Sequence, residues 1–460
     1  MPALKNTAEP GTQRMKAVLK NFRLVDEETD ALGSIIVQDG IITAIQTGNL
    51  LSKEDENGAA IIIDGENFLS SGNSPVIMPA FIDLHAHFRD PGFGIDGAIP
   101  SEVLESACMA AAAGGFGTVI CMANTKPAID TIEKAASLKK RSDALGFIDL
   151  FPVISLTKNM EGKELSEITR IPADGKIFDN SASYIPLMLS EDGKDLEGDG
   201  LFLAAMKEAK RASIPISCHC DLGGDENNAV RRVIALGKQA GCHIHIAHVS
   251  TKEAVQAIRE AKQEIMALAA PDGFALSCEA MPHHICLTEE DASKLGAKTW
   301  GKVSPPLRSE EDRQALIHAL KDGTIDAIAT DHAPHSAADK ESGSPGFSGF
   351  ETAFAALNTE LVHGIDTTIN LKRLSSLLSA SPARLLGFEN SHKHACILPG
   401  YIADLVILDT EAAWIIEPDK FFSRGKNSPF TGHQLYGKIL LTLHRGRVVF
   451  QNYMERRIFT

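Results

Sequence analysis

Residues Val76 to Gly92 read VIMPAFIDLHAHFRDPG. An apolar run that ends in alternating polar residues has the pattern of a buried strand opening into a site. His85, His87 and Arg89 stand two apart. On a strand such residues share a face, so both imidazoles and the guanidinium point the same way, whereas a helix would scatter them. Two neutral imidazoles side by side suit zinc or another borderline divalent metal, and a fixed cation nearby suits an anionic substrate. A His-x-His pair also occurs by chance in surface strands, so its weight depends on the surrounding chain.

That surrounding chain alternates. From about Val76 to Leu386, apolar runs end in polar residues and are followed by helical stretches. The runs are VIMPAFIDL, FGTVICM, FIDLFPVI, IPLML, IPISCH, HIHIAHV, FALSCEA and DAIAT, and the helices include SEVLESACMAAAA, GLFLAAMKEAKRA, TKEAVQAIREAKQ and SEEDRQALIHALK. Eight such strands predict an α/β fold, a (β/α)8 TIM-type barrel whose chemistry belongs at the strands' C-terminal ends. The chain ends read differently. Ala17 to Asp64 is β-rich, with IIVQDGIITAI (Ile35 to Ile45) centred on the turn pair Asp39-Gly40, and ADLVILD and GKILLTLHRGRVVF close the chain. The expected domains are residues 1–75 and 391–460, packed together as one small β-sandwich, with the barrel over 76–390.

Later strand ends supply further donors: His219 after IPISC, His248 in HIHIAHVS, and Asp331 in DAIATDHAPH. Each histidine alone is more often a hydrogen-bonded core or loop residue. Four histidines and a carboxylate, each closing a predicted strand, are what a convergent site in this architecture requires. Alternation within HIHIAHV puts His248 on one face with Ile244 and Ile246, and His243 and His245 on the other. If the isoleucine face lines the barrel, His248 enters the site. Ala327 and Ala329 precede Asp331 on its face and would leave room for metal and substrate. A two-metal site also needs a bridging anion. GKIFDN offers Lys176, as a carboxylated lysine, and Asp179, while LSEDG offers Asp192.

Composition narrows the function. A net charge of −15 and no long basic run argue against nucleic-acid or anionic-membrane binding. The eight cysteines fall mostly in apolar runs without CxxC pairs, as reduced core residues do. The N-terminal stretch lacks an apolar signal core, and no apolar run is long enough to span a membrane, so a cytoplasmic location is expected.

Taken in order, MPAFIDLHAHFRDPG, MANTKP, LSEDGKDL, HIAHVST, EAMPHH, KVSPPLRS, ATDHAPH, GFSGFET, SPARLLG, ADLVILD and NSPFTG run from Met78 to His433. In this combination the chain resembles the bacterial single-domain (class I) dihydroorotases of the amidohydrolase superfamily. The resemblance implies two Zn2+ per subunit. His85 and His87 would hold one metal with Asp331, and His219 and His248 the other, with an aspartate bridging. In the family the second acidic residue of S-[DE]-D-G precedes the next histidine ligand by 27 positions, as Asp192 precedes His219. Asp192 is therefore the expected bridge, and the Lys176 to Asp179 segment an insertion. The substrate side maps onto His87, Arg89, Asn124, Ser304 and His335, with backbone around Pro345 and Gly346; a guanidinium grips a carboxylate through two parallel hydrogen bonds. Three departures stand out: Ala123 where proline is usual, Ser304 where relatives place a substrate-contacting asparagine, and a shortened stretch between His219 and His248.

The reaction so implied is the reversible hydrolysis of dihydroorotate to N-carbamoyl aspartate in pyrimidine biosynthesis. A metal-bridged hydroxide would attack the ring amide, with Asp331 as general base and then acid. A homodimer is expected, and association with an aspartate transcarbamoylase is left open. Two rivals differ in kind. Allantoinases and hydantoinases (dihydropyrimidinases) share barrel and metals but normally bridge with a carboxylated lysine. A non-catalytic scaffold for aspartate transcarbamoylase would have lost ligands, and here every ligand position is filled.

Overall fold

The computed structural model describes residues 15–48, 53–68, 75–92, 101–173, 184–194, 196–267, 273–363, 367–388 and 394–452. The Lys176 to Asp179 segment lies outside them.

At the start of the chain β1 (Lys16–Val25), β2 (Asp30–Gln38) and β3 (Ile41–Thr47) form a meander. Its second turn is the expected hairpin. Asp39 and Gly40 both have positive φ, +52° and +82°, the backbone that lets a two-residue turn follow the strands' twist. Next come β4 (Ile61–Asp64) and β5 (Val76–Pro79), both parallel to β1. β5 is the first half of the run read as one barrel strand. It pairs with β14 (Leu405–Ile415) of the C-terminal segment, and Ala80 N donates to Asp404 O at 2.9 Å before the chain enters the barrel. Pro79 has no N–H to continue a ladder, so the run divides there. The sheet thus reaches four residues beyond the boundary expected at residue 76.

β14, β15 (Gln434–His444) and β16 (Arg447–Gln451) complete this sheet in the order β16-β15-β14-β5-β1-β2-β3, with β4 beside β1. Leu19, Phe22, Leu24, Ile35, Ile77, Ile407 and Leu441 fill its core. Both chain ends therefore build one β unit.

The barrel is two parallel sheets joined into a ring. β6 (Phe81–Ala86), β7 (Phe116–Cys121) and β8 (Asp149–Pro152) form one. β9 (Leu189–Ser190), β10 (Ile216–Cys218), β11 (His243–Ile246), β12 (Ala275–Ala280) and β13 (Ala327–Ile328) form the other. Single bridges, Ile154 to Leu189 and Ala86 to His332, close the two seams. The IPLML run contributes only its last residue to β9.

Helices cover the outside because their apolar residues recur every three or four positions. In Glu226–Ala240 these are Ala229, Val230, Val233, Ile234, Gly237 and Ala240. Asp225 caps the start by accepting from Asn228 N, and Gly241 ends the helix at φ +65°. This helix lies so close to β11 that a Cβ on Gly237 would sit 2.5 Å from Ile244 Cγ1. Ile244 therefore faces the helix layer, not the barrel interior. None of the eight cysteines forms a disulfide, and no helix among the described residues is long and apolar enough to cross a membrane.

Below the barrel an ionic cluster, buried except for Arg445, ties it to the sheet. Asp404 lies 3.0 Å from His394 Nδ1 and 3.1 Å from His444 Nδ1, and Asp149 at the start of β8 pairs with Arg445 at 3.0 Å. Burial opposes charge on Asp404, but the two histidines outweigh it and lower its pKa; burial likewise opposes charge on His444, and Asp404 outweighs it and raises its pKa. The His444 contribution to stability is therefore complete below the usual histidine value of 6.5 and fades as pH rises through the raised one, while that of Asp404 is lost only in acid. Asp404→Asn should destabilise the protein by about 3–5 kcal/mol. The loss, read as a drop in Tm, should be larger at pH 6 than at pH 9.

Candidate metal centre

Closing the barrel is what assembles the site. Asp331 N donates to His85 O at 2.9 Å and His87 N to His332 O at 2.8 Å, so the His-x-His strand and the aspartate are adjacent at the seam. Deeper in, Asp83 accepts from His85 N and Thr330 N, both at 3.0 Å, and from the Thr330 hydroxyl. Burial pushes the Asp83 carboxyl up to about 7.

The expected ligands converge. His85 Nε2 lies 3.1 Å from Asp192 and 3.7 Å from Asp331; His87 Nε2 lies 2.9 Å from Asp331 and 3.6 Å from Asp192. His219 Nδ1 faces His248 Nε2 at 2.8 Å, and these nitrogens lie 3.8 and 4.0 Å from Asp192 Oδ1. Ligand atoms of His85, His87 and Asp331, and of His85, Asp192 and His248, fall within 4.8 Å of one another. Asp192 thus stands between the two histidine pairs, in the position a bridge would need.

His248 reaches the cluster by a route alternation did not foresee. With Ile244 facing the helix layer, the strand's inward face belongs to His245, which meets Glu279 at 3.2 Å inside the barrel. Past the end of the strand His248 has φ +35°, and this left-handed residue breaks the alternation and brings its ring into the mouth. Asp331 at φ +46° and Arg89 at φ +54° share this strained backbone, which clusters at functional sites.

The chemistry of these donors fits a divalent cation. The Nε2 of His85 is buried without a hydrogen-bond partner, though two carboxylates face it. Burial disfavours charge on His85, yet Asp192, Glu279 and Asp331 overcome this and raise its pKa; burial also disfavours charge on Asp192, and His85 reverses that and lowers it. The cluster draws in positive charge, and imidazoles with carboxylates are the donors that hold zinc, cobalt or manganese.

A cavity of about 470 Å³ opens above the cluster, and its wall includes every expected site residue except His85, which lies below its floor. Arg89 is 4% exposed; burial lowers its pKa to about 10, so it stays charged at neutral pH. Its Nη2 lies 3.3 Å from His335 Nε2, which donates to Pro345 O at 2.8 Å. Burial and Arg89 hold the His335 pKa down to about 2, so this ring is neutral. Gly346 must be glycine: φ is +130°, and a Cβ would meet that of Ala333 at 2.6 Å. Asn124 accepts from His87 Nδ1 at 2.8 Å and donates to Asp192 at 3.0 Å, so its amide is engaged with the ligands. The Ser304 hydroxyl donates to Asp221 at 3.1 Å. Asp83, Asp221 and Glu279 were missed in the sequence. Position-two spacing from His85 pointed to Asp83; nothing marked the other two.

A metal-dependent hydrolase is the class this barrel and donor set define, and the Amidohydrolase family model matches residues 76–449. The chain belongs to the amidohydrolase family. Within it, the chain is 35% identical to the dihydroorotase of Clostridium botulinum (strain Eklund 17B / Type B) over 95% of its own length and 100% of that protein, and 34% identical to that of Thermoanaerobacter sp. (strain X514) over 95% and 98%. Among solved structures, the L-hydantoinase (dihydropyrimidinase) of Arthrobacter aurescens superposes with a TM-score of 0.77 at 26% identity, covering 96% of this chain and 97% of that one. The dihydropyrimidinase of Brevibacillus agri NCHU1002 gives 0.76 at 20% identity, covering 95% of each, and supports the fold alone.

Asp192→Ala should cost bound metal, while Lys176→Ala should retain it. Elemental analysis of the two purified variants reads this directly, and the opposite pattern would move the bridge to Lys176.

Proposed function

We propose that the chain is a dihydroorotase, holding two zinc ions and interconverting dihydroorotate and N-carbamoyl aspartate. The observation that carries this reading is a buried guanidinium, Arg89, in the same cavity as the cluster of four histidines and two aspartates. The curated relatives named above support it.

His85, His87 and Asp331 would hold one ion, His219 and His248 the other, with Asp192 between them. Divalent metals, when bound, lower the pKa of a water towards roughly 7 and polarise a carbonyl oxygen. Arg89 takes the substrate carboxylate through parallel N–H donors, which a rigid buried fork does at small entropic cost. His335, neutral and pinned by Pro345 O, lines the cavity beside Arg89 and would meet the substrate there. The water oxygen adds to the ring amide carbon while Asp331 accepts its proton. As the C–N bond breaks, Asp331 returns that proton to the leaving ring nitrogen, so one carboxylate serves as base and then acid. In reverse the same groups close carbamoyl aspartate and release water. Burial of the cluster keeps bulk solvent from competing for these hydrogen bonds.

A hydantoinase reading draws on the L-hydantoinase superposition. It gives Arg89 no task, because a hydantoin ring carries no carboxylate. Turnover of dihydroorotate, allantoin and hydantoin measured side by side separates the readings: dihydroorotate should dominate, and hydantoin as the preferred substrate would sink the proposal.

Asp331→Asn should lower kcat by about 10²–10⁴-fold, the range of a lost general base. A variant turning over near the wild-type rate would remove Asp331 from proton transfer. Arg89→Lys should raise KM for dihydroorotate by roughly 10- to 100-fold, as expected for a lost charged hydrogen bond, with a smaller change in kcat.

A further inference from the structure

Inside the barrel, beneath the ligand cluster, Glu279 of β12 is 0% exposed. One of its oxygens lies 3.2 Å from His85 Nδ1 and the other 3.2 Å from His245 Nε2. A row of polar groups continues behind it, with His245 Nδ1 2.8 Å and His243 Nε2 2.9 Å from Ser277 Oγ. These residues share the inward face of β11 and β12, where His245 pairs in register with Ser277 and Glu279 follows two positions on. An ionised carboxylate in such a place is costly unless charge or hydrogen bonds compensate it, so a role beyond filling space is required.

We infer that Glu279 is a positioning residue for the metal centre: by accepting the proton of His85 Nδ1 it holds this imidazole in the tautomer whose Nε2 lone pair faces Asp192 and Asp331. The inference rests on the metal-centre reading above.

A neutral imidazole carries one N–H, and the hydrogen bond made by one nitrogen decides what the other can do. With Nδ1–H committed to Glu279, Nε2 is left as an acceptor, which a metal ligand must be. A carboxylate behind a ligating imidazole also raises its basicity. The two histidines of the His-x-His pair are served differently. Asn124, a neutral amide, orients His87, whereas an anion backs His85. Both rings bring Nε2 within 4 Å of both aspartates, His85 from the deeper position. His245 stands on the far side of Glu279 as the group that compensates its charge, and Ser277 orients His245 in turn.

Cobalt titration of the chelator-stripped protein tests this, followed by its visible absorption and by competition with zinc, without any substrate. Glu279→Gln keeps an acceptor but loses the charge, and Glu279→Met of similar length keeps neither. Affinity should fall about 10-fold in the first and about 100-fold in the second, with an altered cobalt spectrum and little change in the Tm of metal-free Glu279→Gln. Both variants binding cobalt within about threefold of wild type would overturn the inference while leaving the metal centre intact, since removing the partner of a ligating imidazole costs about 10- to 100-fold. An affinity loss matched by an equal loss of metal-free stability would also overturn it, because Glu279 would then be a core residue. Should Glu279→Met fail to fold, Glu279→Gln decides. Wild-type protein that binds no cobalt would overturn both this inference and the reading beneath it.

Discussion

Two carboxylates, Asp192 and Asp331, are about 95% removed from solvent at the barrel mouth, and the cost of keeping them charged there governs the rest of the site. An isolated buried carboxylate is far more expensive than any single hydrogen bond can offset. Four imidazoles around them relieve that cost only when positive charge is present, as a proton or as a cation. Backbone strain is accepted to bring these groups together. Arg89, His248 and Asp331 each take a left-handed conformation, costing on the order of 1–3 kcal/mol apiece, which persists only where surrounding structure over-determines it. The seam between β6 and β13 provides that: its hydrogen bonds hold both sides of the mouth before any side chain is considered.

Much of this was legible because strand ends in a barrel leave a regular trace. HxH needs only the two-residue repeat of a strand, and His219, His248 and Asp331 each follow a recognisable apolar run. Alternation failed where the strand stopped. His248 is in the mouth, yet the isoleucines placed on its face turn outward to the helix layer, because its positive φ breaks the repeat. Continuity failed at Pro79. VIMPAFIDL looks like one strand because both halves are fully buried, and burial does not say in which of two cores. Glu279 was invisible for another reason: a glutamate inside a strand carries no periodic signal, and its partners come from other strands 34 and 194 positions away. Such long-range pairings belong to the closed barrel, not to any window of sequence.

The connection between β14 and β15 also reaches the site. Asn427, in the C-terminal NSPF stretch, donates to Ala333 O and Gly346 O, both at 3.0 Å, and accepts from His335 N at 3.0 Å. One amide thus fastens the loop after β13 to the loop carrying Pro345 and Gly346. Lys340, with no exposed surface, holds the second loop from below through the carbonyls of Lys302, Ser344 and Gly346. The Arg89 and His335 side of the cavity is therefore set by backbone pinned at several points, and its shape depends on the C-terminal segment as well as on the barrel.

Likeness of fold and likeness of chemistry point to different neighbours, and the difference has a physical source. A barrel with two metals is a general device for attacking a cyclic amide, so its backbone superposes across enzymes with different substrates. What separates those enzymes is the part of the cavity that meets the rest of the ring. A dihydropyrimidine with a carboxylate needs a buried cation to compensate it, and an uncharged hydantoin does not. Arg89 is such a cation. Burial lowers the pKa of its guanidinium only to about 10, because Asp331 and Asp192 act in the opposite direction, and so leaves it charged. Retaining that charge in a buried place is costly to the free protein and would be repaid by an anionic substrate, so under the proposed reading the guanidinium distinguishes the substrate class better than the superposition does.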